Sequence, residues 1–314
     1  MSNIRRLSVE LSAKGKHVTA ARSMPSGSPP TDRVVAVTEL IARHPDGRTV
    51  AQVCSQLELS RATGTAILGS LRSAGWVERR PDRSYVLGPG LVGVAHALER
   101  ALPTGAATTE VLDDLAARVG CGAALTRVSG DQVTFVAMSR DDHRRAAGVE
   151  LGSRFPLRAP SSAAVIAYAS DPVRRDWLAS GAEADRAMLT ALLDDIRDTG
   201  VAVFAMEEAE QTLLEVLGEM AEVLREHPSR RALRDRVGGL LLEIGGRPYT
   251  ATELTAELPL SIGHLSAPVP NPRGEVTYQV QIGPMRTAVP PAERADYILE
   301  LRAAAERLAD QGSS

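Results

Sequence analysis

Apolar side chains recur at helical spacing in three successive short segments near the start of the chain, after which the pattern changes to alternation. In DRVVAVTELIARH, Val34, Val37, Leu40 and Ile41 share one side of a helix that HPDGR ends. TVAQVCSQLEL repeats the spacing at Val50, Val53, Cys54 and Leu57, behind Thr49, a residue suited to cap a helix N-terminus. Ser60 opens a third helix that runs to about Ala74, and Gly75 suits the left-handed turn that closes many helices. WVERRPDRSYVLG then alternates around a Pro-Asp-Arg-Ser turn, as a two-stranded hairpin does. Three helices and a hairpin give the order of a winged helix-turn-helix, here over 32–87.

Beyond it, GPGLVGVAHALERAL predicts a linking helix within 88–103, with Leu91, Val94 and Leu98 on one side. The remainder, 104–314, mixes the two element types. A helix near 108–119, a hairpin AALTRVSGDQVTFVAMS, a strand around Ala146 to Leu151, a helix SSAAVIAYAS and a helix over about 184–199 come first. A short strand VAVF, the pair SIGHLSAPVPNPRGEVTYQVQIG and a final amphipathic helix from Pro291 follow. Hairpin links between neighbouring strands predict an α+β domain with a largely antiparallel sheet. Within it, Leu213, Leu217, Met220 and Leu224 form one stripe, and Leu233, Val237, Leu240, Leu241 and Ile244 form a second after Pro228-Ser229. That spacing predicts a helical hairpin inserted over about 207–258, whose apolar face packs on its own domain, covers a pocket or joins a second copy.

Residues 1–31 have no periodicity, end in SMPSGSPPTD and are expected to form a disordered arm. The arm carries Arg5, Arg6, Lys14, Lys16 and Arg22, all of which translation from Met24 would remove. Net charge is −3, but it is unevenly spread: residues 1–100 hold 14 basic against 8 acidic side chains, the rest 22 against 31. A basic first domain suits a polyanionic partner, although the near absence of lysine also fits a bias in coding composition. Two cysteines, Cys54 and Cys121, and six scattered histidines show no metal-ligand spacing, so no metal, cofactor or disulfide framework is expected. No signal-like or membrane-length apolar run occurs, which predicts a cytoplasmic protein without membrane attachment. No nucleophile motif, phosphate loop or dinucleotide fingerprint is present, so catalysis is not expected.

The third helix carries the first candidate site. A helix that enters a major groove needs small residues that let its backbone approach, together with donors for base edges. Arg61, Thr63, Gly64 and Thr65 meet that need, with Ala62, Ala66, Ile67 and Leu71 expected on the inward side. Packing of a small-residue helix against a neighbour would account for the same glycine. Thr49 and Ser60, at the starts of the second and third helices, are grouped with these. Trp76 is expected to pack at the base of the hairpin, where Arg79, Arg80 and Arg83 would decorate a wing and contact phosphates.

These segments resemble the IclR (isocitrate lyase regulator) type of bacterial transcription regulators. The resemblance runs from DRVVAVTELIARHPDGRTVAQVCSQLELSRATGTAILGSLRSAGWVERRPDRSYVLGPGL through GSRFPLRAP, IRDTGVA with nearby Glu207, and IGHLSAPVPNPRGEVTYQVQIGP to the last helix. It implies an N-terminal winged helix that binds double-stranded operator DNA, a linking helix that dimerises, and a GAF/PAS-like C-terminal domain that binds a small organic effector. It further implies homodimers or tetramers, usually repressors of catabolic or neighbouring genes. The implied effector site comprises Arg158, Ser161, Ser162, Phe204, His264, Val280 and Ile282. Several positions depart from the pattern. Ala66 stands where an arginine is common, Arg158 where histidine is usual, and Ala163-Ala164 replace Gly-Lys. VAVFA follows Gly200 where an acidic pair is common, and Val280 and Ile282 stand where small hydroxyl residues can hold a carboxylate. The departures imply an effector larger or more apolar than a small keto acid, or a member that acts through a protein partner instead; an enzyme with an accessory binding domain is the remote alternative.

Overall fold

The computed structural model describes residues 28–311 apart from 104, 141–148, 226–232, 234–236, 238, 239 and 241–245. The basic arm, Met24, and Leu241 and Ile244 of the second apolar stripe therefore lie outside the described residues.

Helix α1 spans Pro29–Ala42, beginning three residues before its apolar pattern because Pro29 and Pro30 suit a first helical turn, where no backbone N–H is required. Helix α2 spans Val50–Gln56 and carries a capping box in which the Thr49 hydroxyl and the Gln52 side chain exchange hydrogen bonds with each other's backbone N–H. Helix α3 spans Arg61–Ser73, and its N-cap Ser60 accepts a hydrogen bond from the Thr63 backbone N–H. Strands β2 (Val77–Arg79) and β3 (Ser84–Leu87) form the expected hairpin. A two-residue strand, β1 (Arg48–Thr49), too short to leave a pattern, joins β3 and gives the order β1-β3-β2. Val37, Leu40, Ile41, Val53, Leu68, Leu71, Val77 and Tyr85 form the core of this unit, with Trp76 packed at its edge as expected.

A single 3-10 turn, Pro89–Leu91, leads into α4 (Val92–Ala101), followed by α5 (Ala106–Val119). A six-stranded antiparallel sheet then forms in the order β6-β5-β4-β10-β9-β7. Its strands are β4 (Ala123–Ser129), β5 (Gln132–Met138), β6 (Arg154–Pro156), β7 (Ala202–Phe204), β9 (His264–Pro270) and β10 (Val276–Ile282). Strands β8 (Leu260–Ile262) and β11 (Arg286–Val289) pair separately.

Both faces of the large sheet are covered. On one, Leu125, Leu265, Ala267, Val280 and Ile282 meet Leu112, Leu115, Tyr297, Leu301 and Leu308 of α5 and of α10 (Pro291–Gln311). On the other, Ala202 and Phe204 meet α6 (Ala163–Ile166), α7 (Asp171–Ser180) and α8 (Arg186–Thr199) through Ile166, Trp177, Leu193 and Ile196. Helix α7 had no sequence expectation, since its ten residues bury one large side chain, Trp177. Of the strand expected around 146–151, residues 146–148 lie outside the described residues and 149–151 are irregular; a strand lies instead at Arg154–Pro156.

Within the insertion, α9 spans Glu208–Arg225, and Leu233, Val237 and Leu240 are helical. Its apolar seam is Leu214, Leu217, Leu224 and Val237, so Leu213, Met220, Leu233 and Leu240 of the expected stripes are exposed.

Candidate nucleic-acid interface and buried polar face

The outward side of α3 is formed by Arg61, Ala62, Thr65, Ala66, Gly69, Ser70, Arg72 and Ser73, and its inward side by Gly64, Leu68 and Leu71. This corrects two sequence expectations. Ala62 and Ala66 face solvent, and Gly64, expected to allow approach to DNA, is buried against α2. A methyl group built on Gly64 would lie 2.4 Å from Cys54 Sγ, so the glycine serves close helix packing. The residue that leaves the outer face open is Gly69, where an added Cβ would meet nothing within 4 Å. Sequence reasoning passed over it because glycine spacing alone does not tell an inward gap from an outward one.

The hydroxyls at the helix starts are engaged locally. Thr49 is committed to its capping box, and Ser60 Oγ and Thr63 Oγ1 lie 2.9 Å apart in a shared hydrogen bond. Thr65 is exposed one turn further on. In the wing, Arg80 folds back and donates to the Asp46 and Pro45 carbonyls at 2.9 and 3.2 Å, bracing the loop between α1 and β1. Arg79 and Arg83 are exposed. Arg83 occupies the left-handed region, φ 70°, in a turn fixed by Asp82, whose carboxylate accepts from the Ser84 N–H and hydroxyl at 2.9 and 2.7 Å. Those two hydrogen bonds hold the Asp82 carboxyl below the usual carboxylate range. Arg61, Arg72, Arg79 and Arg83 form no ion pair among the described residues. The interface therefore combines a low, small-residue helix face with uncommitted cations at its two ends and on the wing.

The end of α3 touches the start of the connector to α4. Gly88 N–H donates to the Trp76 carbonyl and Gly90 N–H to the Gly75 carbonyl, both at 2.8 Å. A Cβ on Gly88 would lie 2.4 Å from the Gly75 oxygen, and one on Gly90 would lie 2.6 Å from the Ala74 oxygen. Backbone thus crosses backbone where side chains do not fit. Helix α4 itself buries nothing: Val92, Val94 and Leu98 are 66%, 53% and 49% exposed.

The second candidate site lies in the large sheet. Strand register brings Phe204 opposite His264, Ala202 and Gln281 opposite Ser266, Gln279 opposite Pro268 and Thr126, and Gln281 opposite Ala124. These side chains share the face that α6 covers. Phe204 and His264 stack, ring centroids 4.3 Å apart and planes within 9°. Burial without a charged partner lowers the His264 pKa to about 4, so the ring is neutral at pH 7. Ser162, the N-cap of α6, has φ 58° and an Oγ with no hydrogen-bond partner among the described residues. Ser161 Oγ is occupied, donating to the Arg158 carbonyl at 2.7 Å, while the Ser161 carbonyl accepts from Trp177 Nε1 at 2.9 Å.

Three of the seven expected effector residues thus come together here: Ser162, Phe204 and His264. Arg158 projects outward on the loop after β6, and Ser161 is half-buried. Val280 and Ile282 are corrected: both point into the core beneath α5 and α10. Successive strand residues point to opposite faces, so their neighbours Gln279 and Gln281 line the polar side. Among the described residues, no group of three or more His, Cys, Asp or Glu side chains could hold a metal ion, and no helix is long and apolar enough to cross a membrane.

Residues 31–84 match a MarR family model, which covers the winged-helix unit. No curated protein matches the chain significantly. Solved structures match over nearly all of it. An IclR transcriptional regulator from Alicyclobacillus acidocaldarius is 20% identical with a TM-score of 0.54, covering 91% of this chain and 99% of that one. The IclR protein of Thermotoga maritima is 14% identical at the same TM-score, covering 90% and 98%. An IclR homologue from Microbacterium hydrocarbonoxydans, complexed with 4-hydroxybenzoate, is 17% identical with a TM-score of 0.55, covering 90% and 99%. The protein therefore has the fold of the IclR-type regulators over about nine-tenths of its length, as the sequence resemblance implied, with a winged helix at its N-terminal side.

Proposed function

We propose that this chain is an IclR-type transcriptional regulator: a cytoplasmic homodimer that binds operator DNA through α3 and the wing, and whose DNA affinity changes when a small organic ligand occupies the polar face of the sheet. The observation that carries the reading is the outward face of α3. Ala62, Thr65, Ala66, Gly69 and Ser73 keep it low along its whole length. A major groove about 12 Å wide accepts such a face deeply. Arg61 and Arg72 sit near its ends and Arg79 and Arg83 on the wing, where a duplex offers phosphates.

Helix α4 supports the dimer. Ten residues of helix are marginal alone in water, and this one exposes its apolar side chains, so a second copy packed along Val94 and Leu98 stabilises both. The glycine crossing supports the coupling. A shift of α4 moves the connector, which is bonded directly to the C-terminal end of α3. The spacing of two recognition helices, about 34 Å in a dimer that reads successive grooves, then depends on the ligand-binding domains. The 4-hydroxybenzoate-bound relative supports a ligand of aromatic acid size in that protein, and the polar face described above is the corresponding candidate here.

Fluorescence anisotropy with DNA from upstream of its own gene tests the reading. Binding is expected to weaken steeply with salt, with a logarithmic slope near −0.9 for each phosphate neutralised. It is also expected to fall at least tenfold in an Arg61→Ala, Thr65→Ala double variant. Affinity equal to that for random DNA, with no effect of the double variant, would overturn the reading.

A further inference from the structure

Six buried side-chain polar atoms lack a hydrogen-bond partner among the described residues, and three of them, Thr126 Oγ1, Gln279 Oε1 and Ser162 Oγ, belong to the same side of the large sheet. Thr126 and Gln279 are cross-strand partners on β4 and β10. Ser162 begins α6, which packs over β9 and β10. The three residues are 1%, 3% and 6% exposed, so bulk water does not satisfy them. Buried polar groups in folded proteins are almost always hydrogen-bonded, so three exceptions on one side of a sheet ask for partners from outside the protein, an ordered water or a ligand. The Gln279 amide is oriented by its own Nε2, which donates to Gln281 Oε1 at 3.4 Å, leaving Oε1 as an acceptor that needs a donor.

We infer that this face binds an uncharged ligand whose polar end is a carboxamide or an equivalent donor–acceptor group. Its N–H donates to Gln279 Oε1, and its carbonyl accepts from the Thr126 and Ser162 hydroxyls. The inference rests on the ligand-responsive reading above and names the chemistry of the same site. A carboxylate fits the face poorly. It has no proton for Gln279 Oε1, and burying a charge demands a counter-charge. Among the described residues none is at hand. Arg158 points to solvent, and Arg127, next to Thr126 on β4, lies on the opposite face beside Tyr278. His264, the titratable ring on this face, is neutral at pH 7. Beside this face lie two apolar clusters, one holding Phe204 and the other Phe135 and Met138, against which the rest of the ligand would pack.

Calorimetry on the full chain at pH 7.5 with matched amide and acid pairs tests this: benzamide with benzoate, 4-hydroxybenzamide with 4-hydroxybenzoate, and propionamide with propionate. In at least one pair the amide is expected to bind at least tenfold tighter than the acid. Gln279→Leu and Thr126→Val are expected to abolish that preference, and Thr126→Ser to keep it. Without ligand, Thr126→Val is expected to match or exceed the wild-type Tm, because it removes an unpaired buried hydroxyl. A structural hydroxyl would give a lower Tm instead. Tighter binding of the acids, with an accompanying change in DNA affinity, would overturn the inference and leave the regulator reading intact. Absence of binding by every amide and acid would overturn both the inference and ligand response.

Discussion

Gly64 and His264 show how single residues report on this molecule. Gly64 permits contact between α2 and α3, since its missing methyl group would lie 2.4 Å from Cys54 Sγ. Gly64→Ala is expected to lower stability by about 1–3 kcal/mol through overpacking, and Cys54→Ala to restore most of it; urea unfolding of the two single variants and the double variant checks this. His264 has a folded pKa of about 4, against 6.5 for an ordinary histidine, because burial disfavours the charged ring. The unfolded chain takes up this proton first as pH falls. The contribution is therefore complete above about pH 6.5 and lost on the way down to about pH 4, at most about 3–4 kcal/mol. Denaturant midpoints over that window should fall less steeply in His264→Gln than in the wild type; parallel curves would contradict the assignment. Residue roles were only partly legible in the sequence. Helix caps such as Thr49 and Ser60 could be read because side-chain chemistry and position coincide in one short stretch. Val280 and Ile282 were misassigned because the resemblance, not the alternation, put them in the site: QVQI alternates, and its apolar phase belongs to the core while Gln279 and Gln281 take the other face.

At the scale of elements, the central object is the union of α3, the wing and the connector. Gly69 faces open space, so Gly69→Leu should leave the fold intact while holding the helix off the groove; an unchanged circular dichroism melt with at least a tenfold loss of DNA affinity is the expected pair of results. Gly90 is the opposite case. A side chain there meets the Ala74 and Gly75 oxygens at 2.6 and 2.7 Å, so Gly90→Ala should disturb the crossing and lower both stability and the response of DNA binding to ligand. The winged helix was legible almost completely, because its helices are short and amphipathic and the second and third are capped by Thr49 and Ser60. Strand β1 and helix α7 were not, since two residues carry no period and α7 buries a single large side chain. The insertion was legible as helical, and Leu217, Leu224 and Val237 of the expected stripes do form its seam, but Leu214 takes the place of Leu213. Leu213 and Leu214 are adjacent, and both continue an apolar spacing, so packing against Val237 decides between them.

At the scale of the whole molecule, two folded units are joined by a helix that exposes its apolar side. Leu98→Glu together with Val94→Glu should therefore shift the protein toward monomer and weaken operator binding more than single-site chemistry would, which analytical ultracentrifugation alongside anisotropy would register. The charge difference between residues 1–100 and the rest fits the proposed division of labour, in which a basic N-terminal part would face DNA and an acidic remainder would be repelled by it. The measurement that bears most directly on this account is a footprint of the purified protein on the intergenic DNA beside its own gene, at two salt concentrations. The account predicts one protected, two-fold symmetric site with half-sites a helical turn apart or a multiple of it, lost in the Arg61→Ala, Thr65→Ala double variant. Uniform protection, or none at either salt concentration, would contradict it.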